Sequence, residues 1–344
     1  MFKEISKDKK SNFFLIAEIG NNHQGDINAA KKLIEQAKIS GAHAVKFQKR
    51  FNKKLFTDEM YNSSYENENS FGKTYGKHRD FLEFGLNEYK ILKKFSEKLK
   101  IVFFATPFDF ESVDFLNRVK VPAFKIASGD LTNLPLQEKV AKTKKPIFLS
   151  TGGGAIKDID RAIKNILKFN KKLCVMHCTA AYPAQENMMN LNFIKTLKKK
   201  YPKITIGLSD HYSGILSSTV AFLNGALVFE KHFTLNRSNK GTDHAFSLEP
   251  TGLRKLRNYL DRINILQGRY KKKVFKEEKK PIIKMSKSIV ASRKIKIDEK
   301  LTLSNLELRS PGGGLAPYEI KKILNKRVKK EFKKHENIRK KFIY

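Results

Sequence analysis

Gly207-Leu208-Ser209-Asp210-His211 is echoed one unit later by Phe229-Glu230-Lys231-His232-Phe233. Each closes an apolar run on a histidine: Ile204-Thr205-Ile206-Gly207-Leu208 precedes His211, and Leu227-Val228-Phe229 precedes His232. Runs of this kind read as buried strands, so both histidines fall at, or just past, the C-terminal ends of neighbouring strands. In a parallel α/β protein that edge is where active sites form. Two imidazoles converging there suggest a divalent metal site. The plainer alternative is a pair of hydrogen-bonded structural histidines.

The same unit recurs upstream. Phe13 to Gly20 reads as a strand, followed by the loop Asn21 to Asp26 and a helix from Ile27 to Ser40. Asp26 supplies its N-cap, and Ile27, Ala30, Leu33, Ile34 and Ala37 its apolar face. Further strands are predicted at Ala44–Gln48, Ile101–Ala105, Ala123–Ala127, Pro146–Leu149 and Leu173–Met176. With the two histidine strands these make eight, alternating with helices, which predicts a parallel sheet with crossover helices closed into a (β/α)8 TIM barrel. The polar stretch Lys49 to Arg79 is long for a connection, and such segments are usually functional lids or disordered.

Past Leu266 the composition changes. The sequence predicts the barrel over 1–268, a charged linker over 269–284, and a small β-rich domain over 285–344. In the last, Ser288 to Ala291 and Leu301 to Leu308 read as strands and Pro311-Gly312-Gly313-Gly314 as a turn. So small a domain buries little core alone, and docking on another surface is expected.

The chain has 344 residues and a net charge of +36, from 70 Lys+Arg against 34 Asp+Glu. That charge raises the possibility of a polyanion partner. The lysines are spread over helix faces and linkers, Lys198-Lys199-Lys200 and Lys271-Lys272-Lys273 among them, with no nucleic-acid module beside them. A lysine-rich coding bias accounts for most of the charge, and no nucleic-acid partner is expected. Cys174 and Cys178 share one strand, where four residues span roughly 13 Å, too far to bridge; they fit a reducing cytoplasm. Met1 to Asn12 is polar with no apolar h-region, so no signal peptide is expected. No apolar run approaches the roughly 18 residues a membrane span needs, so no membrane partner is expected either.

The polar residues in or just past the strands are Glu18, Lys46, Gln48, Thr106, Lys125, Ser128, Ser150, Thr151, Thr179, Ser209, His211 and His232. Lys46 and Lys125 stand inside strands, and a lysine inside a barrel needs an anionic partner or a depressed pKa. One reading is a Schiff-base aldolase using Lys125. The other is a pair of lysines clamping a small polyanion, which the surrounding hydroxyls and the glycine amides of Ser150-Thr151-Gly152-Gly153-Gly154 favour. For any single Ser or Thr, loop capping is the simpler role.

These motifs together carry a resemblance. The chain resembles the N-acetylneuraminate (sialic acid) synthase family over nearly its whole length. The resemblance rests on Ala17-Glu18-Ile19-Gly20-Asn21-Asn22-His23, Val45-Lys46-Phe47-Gln48, Gly72-Lys73-Thr74-Tyr75-Gly76, Phe124-Lys125-Ile126-Ala127-Ser128-Gly129, His177-Cys178-Thr179 and the two histidine motifs. Residues Lys287 to Pro317 resemble its antifreeze-like (SAF) domain. The resemblance implies condensation of phosphoenolpyruvate with an open-chain N-acyl hexosamine, either N-acetylmannosamine or a diacetamido-dideoxy hexose, to a nonulosonic acid plus phosphate. It implies that Lys46, Thr106, Lys125, Ser128, Ser150 and Ser209, with Gln48 beside them, hold substrate. It places a divalent metal on His211 and His232, Mn²⁺ or in its stead Mg²⁺ or Co²⁺. Glu18 and Asp243 would lie near the sugar and the metal-bound water, and Tyr182 near the reacting groups. A domain-swapped homodimer is implied as well.

The chain departs from the family pattern in places. Ala180 stands where Asn is common, Asp130 where Glu is usual, and Ser310 where an arginine reaches the sugar's acyl group. The usual Lys-Gly-Glu turn reads Ile297-Asp298-Glu299, and Asp tolerates the left-handed conformation such a turn needs.

Overall fold

The structure, a computed structural model, describes residues 2–8 and 10–344; Met1 and Lys9, in the polar stretch read above, lie outside the described residues. It divides into two compact units, Met1–Gln267 and Gly268–Tyr344.

In the first unit eight parallel strands close in sequence order into a barrel. They are β1 (Phe14–Gly20), β2 (Ala44–Lys49), β3 (Val102–Pro107), β4 (Phe124–Ile126), β5 (Ile147–Ser150), β6 (Leu173–Cys178), β7 (Thr205–Asp210) and β8 (Val228–His232). The crossover helices include α1 (Ile27–Ile39), whose Asp26 side chain accepts from the Asn28 N–H as the sequence predicts. Three more lie in the connection that the sequence reads as a lid or disordered: α2 (Asn52–Leu55), α3 (Asp58–Asn62) and α4 (Tyr75–Phe81). Then come α5 (Leu86–Lys98), α6 (Phe110–Val119), α7 (Leu134–Lys142), α8 (Ile156–Leu167), α9 (Phe193–Lys200), α10 (Leu216–Leu223) and α11 (Pro250–Gln267).

The connection between β2 and α5 is ordered, so of the two readings disorder is corrected. Its helices are too short to show an apolar period, and polar bonds hold them instead. Asn52 Nδ2 donates to Asp80 Oδ1 at 2.9 Å, the Tyr61 hydroxyl donates to Asp80, and Lys49 Nζ donates to Glu83 Oε2 at 2.9 Å. Its tip reaches the β8–α11 loop, where Gly241 N donates to Asn69 Oδ1 at 2.9 Å and Lys240 Nζ lies 5.0 Å from the Phe71 ring centre.

Strand alternation sorts the side chains. Phe14, Phe104 and Phe148, from β1, β3 and β5, point inward and are fully buried. Their rings meet at centroid distances of 6.0 Å (Phe14–Phe148) and 5.3 Å (Phe104–Phe148). At about 2–3 kcal/mol for each large apolar side chain removed from water, these rings form a stable floor across the barrel. Further along the same strands the inward positions turn polar: Glu18 lies four residues past Phe14, Thr106 two past Phe104, and Ser150 two past Phe148.

The second unit holds a 3₁₀ turn (Lys276–Glu278), α12 (Lys279–Met285), an antiparallel pair β9 (Ser288–Ala291) and β10 (Leu306–Arg309), and one turn of helix, α13 (Ile320–Ile323). The expected linker is therefore partly helical, and the expected strand from Leu301 begins only at Leu306. Leu301 to Asn305 is taken up by a turn in which Thr302 N donates to Asn305 Oδ1 at 2.8 Å. The unit has its own buried cluster, with Ile289, Ile295, Leu301, Val328, Phe332 and Ile338 fully buried within it. Asp298 adopts φ +67, the left-handed turn that its sequence position predicts.

Candidate active site

Above the phenylalanine floor, at the C-terminal ends of the strands, lies a cavity of about 480 Å³. Glu18, Lys46, Gln48, Thr106, Lys125, Ser128, Ser150, Tyr182, Ser209, His211, His232 and Asp243 all line it. The strand register explains the convergence. His232 pairs with Glu18 across β8 and β1, Glu18 with Lys46 across β1 and β2, and Gln48 with Thr106 across β2 and β3. Inward-pointing residues in one register row stand side by side.

One wall is ionic. Lys46 Nζ is 2.8 Å from Glu18 Oε2 and donates to Thr106 Oγ1 at 2.9 Å. Lys125 Nζ donates to Glu230 Oε1 at 3.1 Å, an oxygen that also accepts from Ser209 Oγ at 3.1 Å and lies 3.8 Å from Lys46 Nζ. Both lysines and both carboxylates are almost wholly buried. Burial alone would push the Glu230 carboxyl up, but the Lys125 and Lys46 ammonium groups outweigh it and hold it below the usual carboxylate range. Ser150 Oγ is buried on this wall with no hydrogen-bond partner. Ser128 Oγ accepts from Gly152 N at 3.0 Å.

Sequence reasoning missed Glu230, the central anion of this wall. Its signal was its place two residues before His232, on the same strand face.

The imidazole wall rises from the strands that also carry Ser209 and Glu230, two residues further along. His232 ends β8, and His211 lies one residue past β7. Their rings are 5.4 Å apart, and the Tyr182 ring lies 4.1 Å from His211. His211 Nδ1 is 2.8 Å from the Thr179 carbonyl, which makes it the donor nitrogen and leaves Nε2 with a free lone pair. Burial, and then the neighbouring His232, push the His211 imidazole down to about 3, so it is neutral. His232 Nδ1 is buried without a hydrogen bond, 3.4 Å from Asp243 Oδ2.

Behind this wall a second ion pair ties the two strand ends. Lys231 Nζ is 3.2 Å from Asp210 Oδ2, which also accepts from Ser217 Oγ at 2.6 Å and Ser218 Oγ at 2.8 Å, while Tyr212 N donates to Asp210 Oδ1 at 3.0 Å. Asp210 and Lys231 are partners in the β7–β8 register.

Two candidates take structural roles. Thr151 Oγ1 donates to the Met176 carbonyl at 3.0 Å, and Thr179 Oγ1 donates to the Met188 carbonyl at 3.1 Å. Their hydroxyls fasten loops. Ala180 lines the cavity where the resemblance leads one to expect Asn.

Fold and site together describe a barrel with a candidate reaction centre at the C-terminal strand ends, where buried lysine–carboxylate pairs lie beside two imidazoles. Its relatives refine the class. The NeuB family pattern matches residues 33–272 and that of the SAF domain residues 286–343; the chain belongs to the NeuB family and is an enzyme of the nonulosonic acid synthase kind. It is 40% identical over 333 residues to the N,N'-diacetyllegionaminic acid synthase of Campylobacter jejuni, covering 94% of this chain and 98% of that one. It is 38% identical over 316 residues to the N-acetylneuraminate-9-phosphate synthase of Mus musculus, covering 92% and 88%. Among solved structures, the N-acetylneuraminic acid synthetase of Leptospira borgpetersenii, crystallised with citrate, superposes with a TM-score of 0.68 at 34% identity over 79% of this chain and 90% of that one.

Proposed function

We propose that this chain joins phosphoenolpyruvate to an open-chain N-acyl hexosamine, giving a nonulosonic acid and phosphate. The observation that carries the reading is one cavity lined by both Lys46 and Lys125 and by both His211 and His232. A small polyanion and a carbonyl acceptor are reactants suited to those walls.

The imidazole wall fits a divalent metal, for which we propose Mn²⁺, with Mg²⁺ or Co²⁺ able to replace it. His211 keeps one nitrogen free, and His232 has a buried nitrogen without a hydrogen bond. Among the described residues no group of three or more His, Cys, Asp or Glu side chains is arranged to hold a metal alone, so the two imidazoles would hold it with further positions left to substrate or water. When bound, such a cation supplies Lewis acidity towards an aldehyde oxygen.

The chain's own residues do the rest. Lys46 and Lys125, with the hydroxyls of Thr106, Ser128, Ser150 and Ser209, hold the carboxylate and phosphate and turn C3 of phosphoenolpyruvate towards the acceptor. C3 bonds to the aldehyde carbon, water adds to C2, and the tetrahedral adduct collapses with C–O cleavage to release phosphate. Glu18 takes a proton from that water and passes it to the alkoxide at the former aldehyde carbon, and the hydroxyl proton of the C2 adduct leaves with the phosphate. Asp243 and Tyr182 flank the sugar. We assign the chemistry to residues 1–268 and propose that the chain works as a domain-swapped homodimer. Two free, buried cysteines fit a reducing, cytoplasmic setting.

A panel of N-acetylmannosamine and diacetamido-dideoxy hexoses with phosphoenolpyruvate and Mn²⁺ tests the reading through phosphate release and product mass. Absence of phosphate release with every acceptor overturns it. The aldolase alternative has against it the Lys125–Glu230 ion pair, which suits an anion clamp rather than a free amine nucleophile; borohydride trapping of a keto substrate on Lys125 would favour it instead.

A further inference from the structure

We propose that Arg50 is a positioning residue that sets the orientation of Glu18 through the side-chain amide of Gln48. The inference rests on the role proposed above for Glu18.

The connection is continuous. Arg50 NH2 donates to Gln48 Oε1 at 2.6 Å, Gln48 Nε2 donates to Glu18 Oε1 at 2.8 Å, and Glu18 Oε2 lies 2.8 Å from Lys46 Nζ. The two ends of a Gln amide are nearly identical in shape and opposite in hydrogen-bonding sense. Which end meets Glu18 is therefore decided by what the other end meets. A guanidinium can only donate, so Arg50 takes the carbonyl oxygen and leaves the NH₂ for the carboxylate. A reversed amide would bring its oxygen against an oxygen of Glu18, and the carboxylate would turn away from the row it shares with His232 and Lys46.

Arg50 is itself immobilised. It is 8% exposed. Its guanidinium carbon lies 3.8 Å from the Phe108 ring centre, its NH1 is 3.6 Å from Glu83 Oε1, and its backbone N–H donates to Glu83 Oε2 at 3.1 Å. Phe108 fixes the plane of the fork and Glu83 its charge. Glu83 in turn takes Lys49 Nζ at 2.9 Å, so the polar base of the β2–α5 connection is what aims the amide. Gly20 stands close by at φ +53, and a Cβ there would lie 3.2 Å from Gln48 Nε2 and 3.3 Å from Glu18 Oε1. The amide–carboxylate contact is thus shaped from both sides.

A double-mutant cycle on the full chain tests the inference, using phosphate release with the acceptor the sugar panel identifies. Arg50→Met removes the donor at similar length, and Gln48→Met removes the amide. The expected result is a kcat lower by about tenfold in Arg50→Met with the KM for phosphoenolpyruvate changed less than about twofold. Arg50→Lys, which can still donate, should recover most of the loss. In the Gln48→Met background Arg50→Met should cost less than about twofold more. Thermal midpoints are recorded for every variant, and Arg50→Leu, which also lacks a donor, replaces Arg50→Met in the cycle if the latter does not fold. Equal losses from Arg50→Met in both backgrounds, or an unchanged kcat in the single variant, overturn the inference while leaving the proposed reaction standing. A wild-type chain that releases no phosphate with any acceptor overturns the reaction and this inference with it.

Discussion

Lys125 Nζ lies 3.1 Å from Glu230 Oε1, although 105 positions separate the two residues and their strands, β4 and β8, face each other across the barrel. Glu230 is thus the resident anion between the two lysines. Replacing it with Gln keeps the shape and strips the counter-charge. Breaking one side of a buried pair costs about 3–5 kcal/mol, so Glu230→Gln should lower the thermal midpoint of the free protein. Phosphoenolpyruvate brings replacement negative charge, so it should raise the variant's midpoint more than the wild type's. Equal shifts in melts with and without the ligand would show that the lysines do not meet it.

Lys46→Met and Lys125→Met each remove a charge-assisted contact worth about 1.5–3 kcal/mol. The KM for phosphoenolpyruvate should rise by about 10- to 100-fold in either variant. Superimposable saturation curves would refute the clamp.

His211→Ala and His232→Ala should each weaken Mn²⁺ binding by at least about tenfold, since two imidazoles are the whole protein contribution foreseen. The EPR signal of free Mn²⁺ in a titration reads this directly, without recourse to turnover. Wild-type binding in either variant would return that histidine to a structural role.

Stability should fall with pH through His43. Its Nδ1 accepts from the Leu15 backbone N–H at 2.8 Å, and Arg257 NH1 and Asp8 face its other nitrogen. Burial first, and then the Arg257 charge, push it from 6.5 down to about 4, against the opposing pull of Asp8 and Asp261. The folded state therefore binds fewer protons than the unfolded chain between those values. Stability is full above about pH 6.5 and is lost as pH falls towards 4, by about 2–3 kcal/mol. His23 and His78, also pushed down by burial, act in the same direction. His43→Gln, which can still accept from Leu15, should flatten the slope of denaturation free energy over that window by its own share. An unaltered slope would remove His43 from the acid response.

Gly20→Ala places a side chain at φ +53 against the Gln48–Glu18 contact. The backbone cost is about 1 kcal/mol, a loss of a few degrees in midpoint. Crowding of Glu18 should lower kcat beyond what that instability explains. A kcat equal to wild type at a temperature where both are folded would show that the contact tolerates displacement.

The barrel was legible because its strands are apolar runs broken by polar residues at one end only. That pattern also exposed Lys46, Lys125, His211 and His232, since charge or imidazole inside a strand is conspicuous. Glu230 was quoted in a motif and still missed, because its partner Lys125 is brought to it only by barrel closure. The ordered segment from Asn52 to Phe81 was illegible for a different reason. Helices of four to seven residues carry too few turns for a period, and what orders them is the acceptance of long-range donors by Asp80 and Glu83. Arg50 gave no signal, since its meaning depends on the flat face of Phe108 and on which end of Gln48 it meets.

The buried Asp210–Lys231 pair has a consequence on the other side of the wall. Each partner is the immediate neighbour of one of the two histidines; β7 cannot slide against β8 without stripping Asp210 of its ammonium, and two hydroxyls and an amide from its own side hold the carboxylate in place for that pairing. The gap between the imidazoles is consequently a dimension of the scaffold, gauged before any guest arrives. A cation proposed for that place would meet a spacing already set by the strand register.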